Sequence, residues 1–572
     1  MSDVSEPATG SEQEAARRDI AALLQAGQGE AAASAVREAL ARWPQDHGLR
    51  ILEAEILSQS GDSAEAIASY LRIGRERPEG FWSLLRAIRH LRDQGDLDLA
   101  RTIFVDEVWP GPAPVDVKLR ALAWLATAAD DSQEAAAFLE SLAAAEGDAP
   151  VAEALARLAG LRARQGHEDA ARHALARAGA RGALPARARA VDADLMLAEG
   201  RIDELLPLAR ALAAEEPDKV EHARRLAFAL VMAGHAAEAL ETLEAALHRW
   251  PADWILLGRL NTMALSHETL ARCLAIVTNG PALAAMPEIS RFQIAVAALT
   301  LGRTEAAQDL LAGIAEHGAT GPMAKPLGHA LAMMPAEAWR TRSGLRDDRS
   351  ATIQTVRVPG ASSALLVFGS PTGGFSHLPF GHFDALVAGY QVHRVYLRDR
   401  RGRGFLKGME EFGDGEAATA AGLARLLEDL GSPSVVTLGA SIAGHAAARF
   451  GALLGARAAA LVAAPTSFEG EPISGERSSP YNRLNLVRRL ARTVLGDPRG
   501  GDLVPVFSGS ARTRFFYYYG AGTERGERNA ARLAGLPAVT LRAVRDAPHV
   551  SLPLDLLPRP EWTALLERDL GL

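Results

Sequence analysis

Cysteine occurs once in the 572 residues, at Cys273. That excludes an internal disulfide framework, and no Cys/His cluster has the spacing of a zinc site. Long apolar runs are also missing: none approaches the ~18 residues of a membrane span. The first fourteen residues, Met1 to Glu14, are polar and acidic, lack the apolar core of a secretory signal, and read as a disordered N-terminus. An excess of basic residues is absent as well. Lys and Arg number 62 against 70 Asp and Glu, a net charge of −8, which argues against a general nucleic-acid binder. What remains is an ordinary globular composition, 48% hydrophobic and 23% charged, long enough for several domains. A cytoplasmic protein without nucleic-acid partner or membrane span is the expectation.

Residues 15 to 335 are rich in Ala, Leu, Arg and Glu with helical periodicity, and a repeat runs through them. Gly27 is followed by Ala32, Leu40 and Pro44; the same offsets give Gly61, Ala66 and Pro78, then Gly95, Ala100 and Pro112. The glycines stand 34 residues apart. After a slip of three the phase resumes at Gly166 with Ala171, then Gly200 with Pro217, Gly234 with Ala239, Leu247 and Pro251, and finally Gly302 with Ala307. Each marker has a physical task in a helical hairpin. Glycine supplies a left-handed residue that ends the first helix. Alanine lets the second helix approach the first, and proline stops the second helix because it lacks the N–H to continue the ladder. Cys273 falls where the small crossing residue belongs, which makes it a packing residue.

This pattern resembles the tetratricopeptide repeat, with room for about nine repeats. The resemblance implies a solenoid whose concave face binds a peptide or protein partner; an architectural spacer or dimerisation arm is the alternative.

Periodicity stops near Pro335, and residues 336–350 read as a polar linker, with Arg340 to Ser350 as an edge element the alternative. From 351 to 572 strands and helices alternate, with strands expected at Thr352–Val358, Ala364–Phe368, Gln391–Leu397, Val435–Leu438, Ala458–Ala463, Arg514–Tyr519 and Ala538–Val544. Helices are expected at about Gly415–Leu430, Ile442–Leu454 and Glu527–Ala534. Such alternation implies a mostly parallel sheet covered by helices, with its chemistry at the carboxyl ends of the strands.

One stretch there carries a chemical signature. Val435–Leu438 runs into Gly439-Ala440-Ser441-Ile442-Ala443-Gly444 and then into an Ala-rich helix. A serine at a strand-to-helix turn is held in a strained conformation with its hydroxyl exposed, and the small residues Gly439 and Ala443 flank it where the chain passes close to itself. Ser441 is therefore the candidate nucleophile. A dinucleotide fingerprint is rejected, because the second glycine it needs is replaced by this serine and no ribose-binding carboxylate ends the next strand.

Strand, Gly-x-Ser-x-Ala turn and helix in this order resemble an α/β-hydrolase, over about residues 350 to 572. Within that superfamily the domain looks like bacterial hydrolase-like domains with an early Phe-x-Gly-type turn, an Arg-Asp after the next strand and a glycine-rich elbow; here these are Phe368-Gly369-Ser370, Arg398-Asp399 and Gly439 to Gly444. The resemblance implies a serine, acid, histidine order. His549, just after the last strand, takes the place of the base, ahead of His377, His382, His393 and His445, the last of which reads as a surface residue. The loop after Arg514–Tyr519 holds no aspartate. Glu524 is the first choice for the acid, with Glu527 and Asp546 as alternatives.

The N–H of Ile442 and the N–H of Ser370 are the candidate oxyanion donors. Arg398 and Gly369 are candidates for substrate binding, since Arg398-Asp399-Arg400-Arg401-Gly402-Arg403 could hold a phosphate, sulfate or uronate; a solvated basic loop is the alternative. Residues Ser467 to Pro498, with the basic amphipathic segment Tyr481–Leu495, lie where hydrolases insert a cap. The resulting expectation is a repeat scaffold joined to a serine esterase that needs no cofactor or metal and acts on a small-molecule or glycan ester. A non-catalytic repeat adaptor and an acyltransferase are the other readings.

Overall fold

The computed structural model describes residues 9–77, 80–126, 132–144, 149–165, 167–279, 283–400, 404–468 and 501–572. The expected cap segment, Tyr481–Leu495 included, lies outside the described residues. The chain forms two compact units, Met1–Leu195 and Met196–Leu572.

The first unit is all helix. It begins with Thr9–Gln25, so part of the stretch expected to be disordered is helical. Successive pairs such as Gly29–Arg42 with His47–Gln59, and Ser63–Arg75 with Phe81–Asp93, build hairpins. The 34-residue pattern acts through backbone and packing together. Gly27, Gly61 and Gly95 all have positive φ, between 71° and 91°, the left-handed conformation that only glycine adopts without strain. Ala32, Ala66 and Ala100 are fully buried, where a larger side chain would push neighbouring helices apart.

The second unit continues the repeat chemistry and then changes class. Gly200, Gly234 and Gly302 again turn through positive φ, and Ala239 and Ala307 are again fully buried. Its helices run from Ile202–Glu215 to Ala336–Arg342. Cys273 sits inside His267–Thr278, fully buried, with burial and the nearby Glu244 carboxylate pushing its thiol up to about 11. Such a thiol is almost wholly protonated at neutral pH. An aromatic disulfide reagent is therefore expected to leave the folded protein unmodified and to titrate the thiol only after unfolding in urea. Rapid native modification would overturn this assignment.

Residues 336–350 are not a linker. Trp339 is buried and its indole N–H donates to the Leu331 carbonyl (3.0 Å). Asp347 and Arg349 are buried too, and Arg349 donates to the Leu260 and Asn261 carbonyls. Polarity alone misleads here, because Asp347 and Arg349 are bonded inside the fold while Glu337, Arg340, Arg342 and Arg346 stay exposed.

Among the described residues seven strands follow: β1 Ile353–Val356, β2 Ser363–Phe368, β3 His393–Leu397, β4 Ser434–Ala440, β5 Ala458–Val462, β6 Arg514–Gly520 and β7 Val539–Val544. They form one sheet in the order β1-β3-β2-β4-β5-β6-β7, with β1 antiparallel to β3 and every other pairing parallel. β3 and β5 are buried along their whole length, as expected of strands covered on both faces. The helices Glu416–Asp429 and Ile442–Leu453 pack one face through Leu423, Leu427, Ala446 and Phe450. Phe380–Val387, a helix the strand-and-helix reading lacked, buries Phe380 and Phe383 against Tyr396 of β3.

Candidate functional site

β4 is the middle strand of the seven, and its carboxyl end delivers Ser441. Ser441 has φ 52° and ψ −129°, a conformation that favours glycine. Its neighbours explain how it is held. A Cβ on Gly439 would stand 2.3 Å from the Ala443 carbonyl oxygen, and one on Gly444 would stand 2.7 Å from the Ala464 Cβ. The Ser441 N–H donates to the Val462 carbonyl (2.9 Å), and its own carbonyl accepts from the Gly444 N–H (2.9 Å). The turn is thus pinned to β5 on one side and to its helix on the other.

A serine heading a helix ordinarily spends its hydroxyl on capping the first-turn amides. Ser441 makes no such bond. Among the described residues its hydroxyl has no hydrogen-bond partner at all, and the residue is only half-buried. Ile442 begins the helix Ile442–Leu453, so its N–H has no carbonyl four residues back within that helix. Free hydroxyl and adjacent free amide stand together.

His549 follows β7 at the same edge of the sheet. The loop that carries it lies against the end of β6: a Cβ on Gly520 would meet the Ala547 carbonyl at 2.1 Å. Burial, and then the positive charge of Arg525, push the His549 imidazole down to about 3. It is neutral at pH 7. Among the described residues no hydrogen bond joins it to Ser441 or to a carboxylate.

The remaining expected site residues have other duties. Glu524 opens the helix Glu524–Leu533 with its side chain 89% exposed, paired to Arg528 four residues on (3.3 Å). It is a helix N-terminal charge. Glu527 is exposed and accepts from the Gly522 N–H (3.0 Å), while Asp546 is an exposed residue at φ 51°. The Ser370 N–H donates to the Gly374 carbonyl (2.8 Å), so it is already used within its own turn. Gly369 is a packing glycine whose Cβ would stand 2.9 Å from the Leu397 oxygen.

Arg398 faces inward. Its Nε donates to the Gly373 carbonyl (2.8 Å), and Nη1 reaches the Asp348 and Ala351 carbonyls (3.1 and 3.3 Å) and Gln354 (2.8 Å). Nη2 pairs with Asp347, and the guanidinium lies 4.7 Å from the Phe380 ring centre. The side chain is buried and each of these partners is internal.

His445 is buried completely, not on the surface, and bonds the Gly501 carbonyl (2.8 Å). His377 stands edge-on to Phe292 with ring centres 5.0 Å apart, and His382 bonds Thr304 (3.0 Å). Burial pushes both down to about 4. These two and His549 have folded values far below the ordinary 6.5, so the unfolded chain takes up protons that the native state refuses. Their contribution to stability is complete above pH 6.5 and is lost as pH falls toward 4. Each steepens the dependence by up to about 1.4 kcal/mol per pH unit in that window. Melting temperature should fall from pH 7 to 4.5, and His377→Leu should flatten the slope; an unchanged slope would refute the buried-neutral assignment.

Among the described residues no three His, Cys, Asp or Glu side chains converge to hold a metal ion, and no helix is long and apolar enough to cross a membrane.

A tetratricopeptide-repeat family profile matches residues 23–88. The solved structures similar to this chain include a tetratricopeptide repeat protein from Parabacteroides merdae, 14% identical, covering 57% of this chain and 100% of its own at a TM-score of 0.27. The P58(IPK) TPR domain is 17% identical and covers 56% of this chain and 98% of its own at a TM-score of 0.17. No curated protein matches the chain. The family match thus places tetratricopeptide-repeat sequence at residues 23–88 of the N-terminal region.

Proposed function

We propose that this protein is a tetratricopeptide-repeat interaction scaffold joined to an α/β-hydrolase-type domain whose nucleophile is Ser441. The observation that carries the reading is the backbone of Ser441. Such a conformation costs about 1–3 kcal/mol at a non-glycine residue and persists only where the surroundings impose it. A serine held there, with its hydroxyl withheld from helix capping, has the disposition of a nucleophile elbow on the central strand. His549, neutral at pH 7 and at the same sheet edge, is the proposed base. In acyl transfer it would take the Ser441 proton as Oγ attacks the ester carbonyl, and return it to the leaving alkoxide; water or another alcohol would then release the acyl group. The Ile442 N–H would receive the developing oxyanion.

A second reading is favoured by a specific observation. Among the described residues Glu524, Glu527 and Asp546 leave the His549 ring without a hydrogen-bonded carboxylate, which is what a non-catalytic adaptor with a degenerate site would show. Labelling the full chain with a fluorophosphonate and mapping the adduct by mass spectrometry separates the two. The hydrolase reading expects an adduct on Ser441, slowed about a hundredfold or more in His549→Ala. A folded protein that stays unlabelled supports the adaptor. The repeats supply the protein-binding part in either case.

A further inference from the structure

Within the second unit a cavity of about 670 Å³ is lined by the repeat helices, by Ser350 just before β1, and by Arg400 and Glu410 after β3. This volume lies in the range of small-molecule sites. Met232, Leu240, Met263 and Leu265 supply its apolar wall, from the ends of Val220–Ala233 and Ala236–Arg249 and from the turn before His267–Thr278. The opposite wall brings in Arg400 and Glu410.

The two charges differ in what they already do. Glu410 has a partner of its own. Arg400 is exposed and, among the described residues, forms neither a hydrogen bond nor an ion pair. Its guanidinium offers a planar fork of donors matched to an oxyanion. A cavity with this apolar wall, with Ser266, Thr269 and Ser350 beside it and one uncommitted cation in its lining, is complementary to an apolar body bearing an anionic group. The two methionines widen the range of bodies it accepts, since their unbranched side chains repack easily. Glu410 on the same wall repels additional negative charge and so selects a singly charged head group.

We infer that this cavity is a binding site for a small amphiphile with an aliphatic or aromatic body and one anionic head, held by Arg400. β3 leads into Arg400, and β2 lies between β3 and β4, whose end runs into Ser441, so the two positions follow strands that are not neighbours in the sheet. The site does not depend on Ser441 being a nucleophile. It also reassigns the anion-binding role that the basic run suggested, from Arg398, whose donors are used inside the fold, to Arg400.

The test is a fluorescence titration of the full chain with 11-(dansylamino)undecanoic acid and with the corresponding primary amide, which lacks the charge. Saturable one-to-one binding of the acid is expected, with the amide about tenfold weaker. Arg400→Glu, an exposed substitution that leaves the packing untouched, should weaken the acid by about tenfold or more and leave the amide unaffected. Met263→Trp, which fills the cavity, should abolish binding of both. Equal affinity for acid and amide, an Arg400→Glu variant that binds the acid as the native chain does, or unsaturable partitioning would each overturn the proposal.

Discussion

Arg398→Ala is expected to lower the unfolding free energy by about 3–5 kcal/mol, the cost of removing one partner from a buried ion pair. The guanidinium is 4% exposed and ties three stretches together: the end of β3, the Gly373 turn, and the segment Asp347–Gln354 that leads into β1. Its removal leaves the Asp347 carboxylate buried against the Gly381 N–H alone (3.1 Å), together with carbonyls that lose their donors. Arg398→Lys should recover little, because one ammonium cannot reach Gly373, Asp348, Gln354 and Asp347 from a single point. Urea unfolding followed by circular dichroism measures the loss. A variant as stable as the native chain but altered in substrate affinity would reinstate Arg398 as a binding residue.

A parallel anchor makes the expectation stronger. Asp384, fully buried in the helix Phe380–Val387, accepts from Arg394 Nε (2.6 Å), Tyr396 Oη (2.6 Å), the Gly344 N–H (2.7 Å) and Ser343 Oγ (3.1 Å). Between them Asp384 and Arg398 hold residues 343–354 to the sheet. Asp347, Arg349 and Thr352 of this segment are buried in the second unit, and a chain cut at 350 would remove the partners that Asp384 and Arg398 find in residues 343–348. The repeats from Ile202 onward and the sheet are therefore expected to be soluble and folded together, and residues 351–572 alone to be markedly less stable.

Why some features were legible and others not follows from the range of the interactions that set them. The repeat is local chemistry. A glycine at positive φ and a fully buried alanine five residues later are demanded by one helix turn and one crossing, so the 34-residue period reveals them at Gly61 and Ala66 as at Gly302 and Ala307. The elbow is local too: Gly439, Ser441 and Gly444 are specified by contacts within a strand, a turn and the next helix. The fate of a charge is not local. Arg398 and Arg400 stand two residues apart in one basic run, yet the first is buried in a clamp and the second is uncommitted, because β3 ends at Leu397 and the chain turns by Arg400, so the strand's two-residue period no longer places them on one face. The same holds for Ser370, whose amide is consumed by a turn that closes on Gly374, and for Glu524, whose distance from His549 depends on how the loop after β6 opens into its helix. Polar stretches such as 343–350 mislead for this reason, since composition records charge but not whether it is paired.

Ser441→Gly should raise stability and abolish reactivity in one step. The native residue sits at φ 52°, where a Cβ is strained and glycine is not. Relief of that strain is worth about 1–3 kcal/mol, less the roughly 0.5–1 kcal/mol that a glycine loses in unfolded-chain entropy, for a net gain near ~1 kcal/mol. Ser441→Ala keeps the Cβ and the strain and loses only the hydroxyl, so its stability should stay close to native. Both variants should eliminate fluorophosphonate labelling at this position, and any ester turnover should fall by at least about a thousandfold. The pair separates cause from consequence. If glycine destabilises the fold relative to alanine, the elbow is not strained and the argument from Ser441 to a nucleophile fails. If glycine stabilises while the native protein takes no label, the elbow is intact but idle, and the adaptor reading stands. Stabilisation by glycine together with labelling confined to native Ser441 is the signature of strain kept for chemistry.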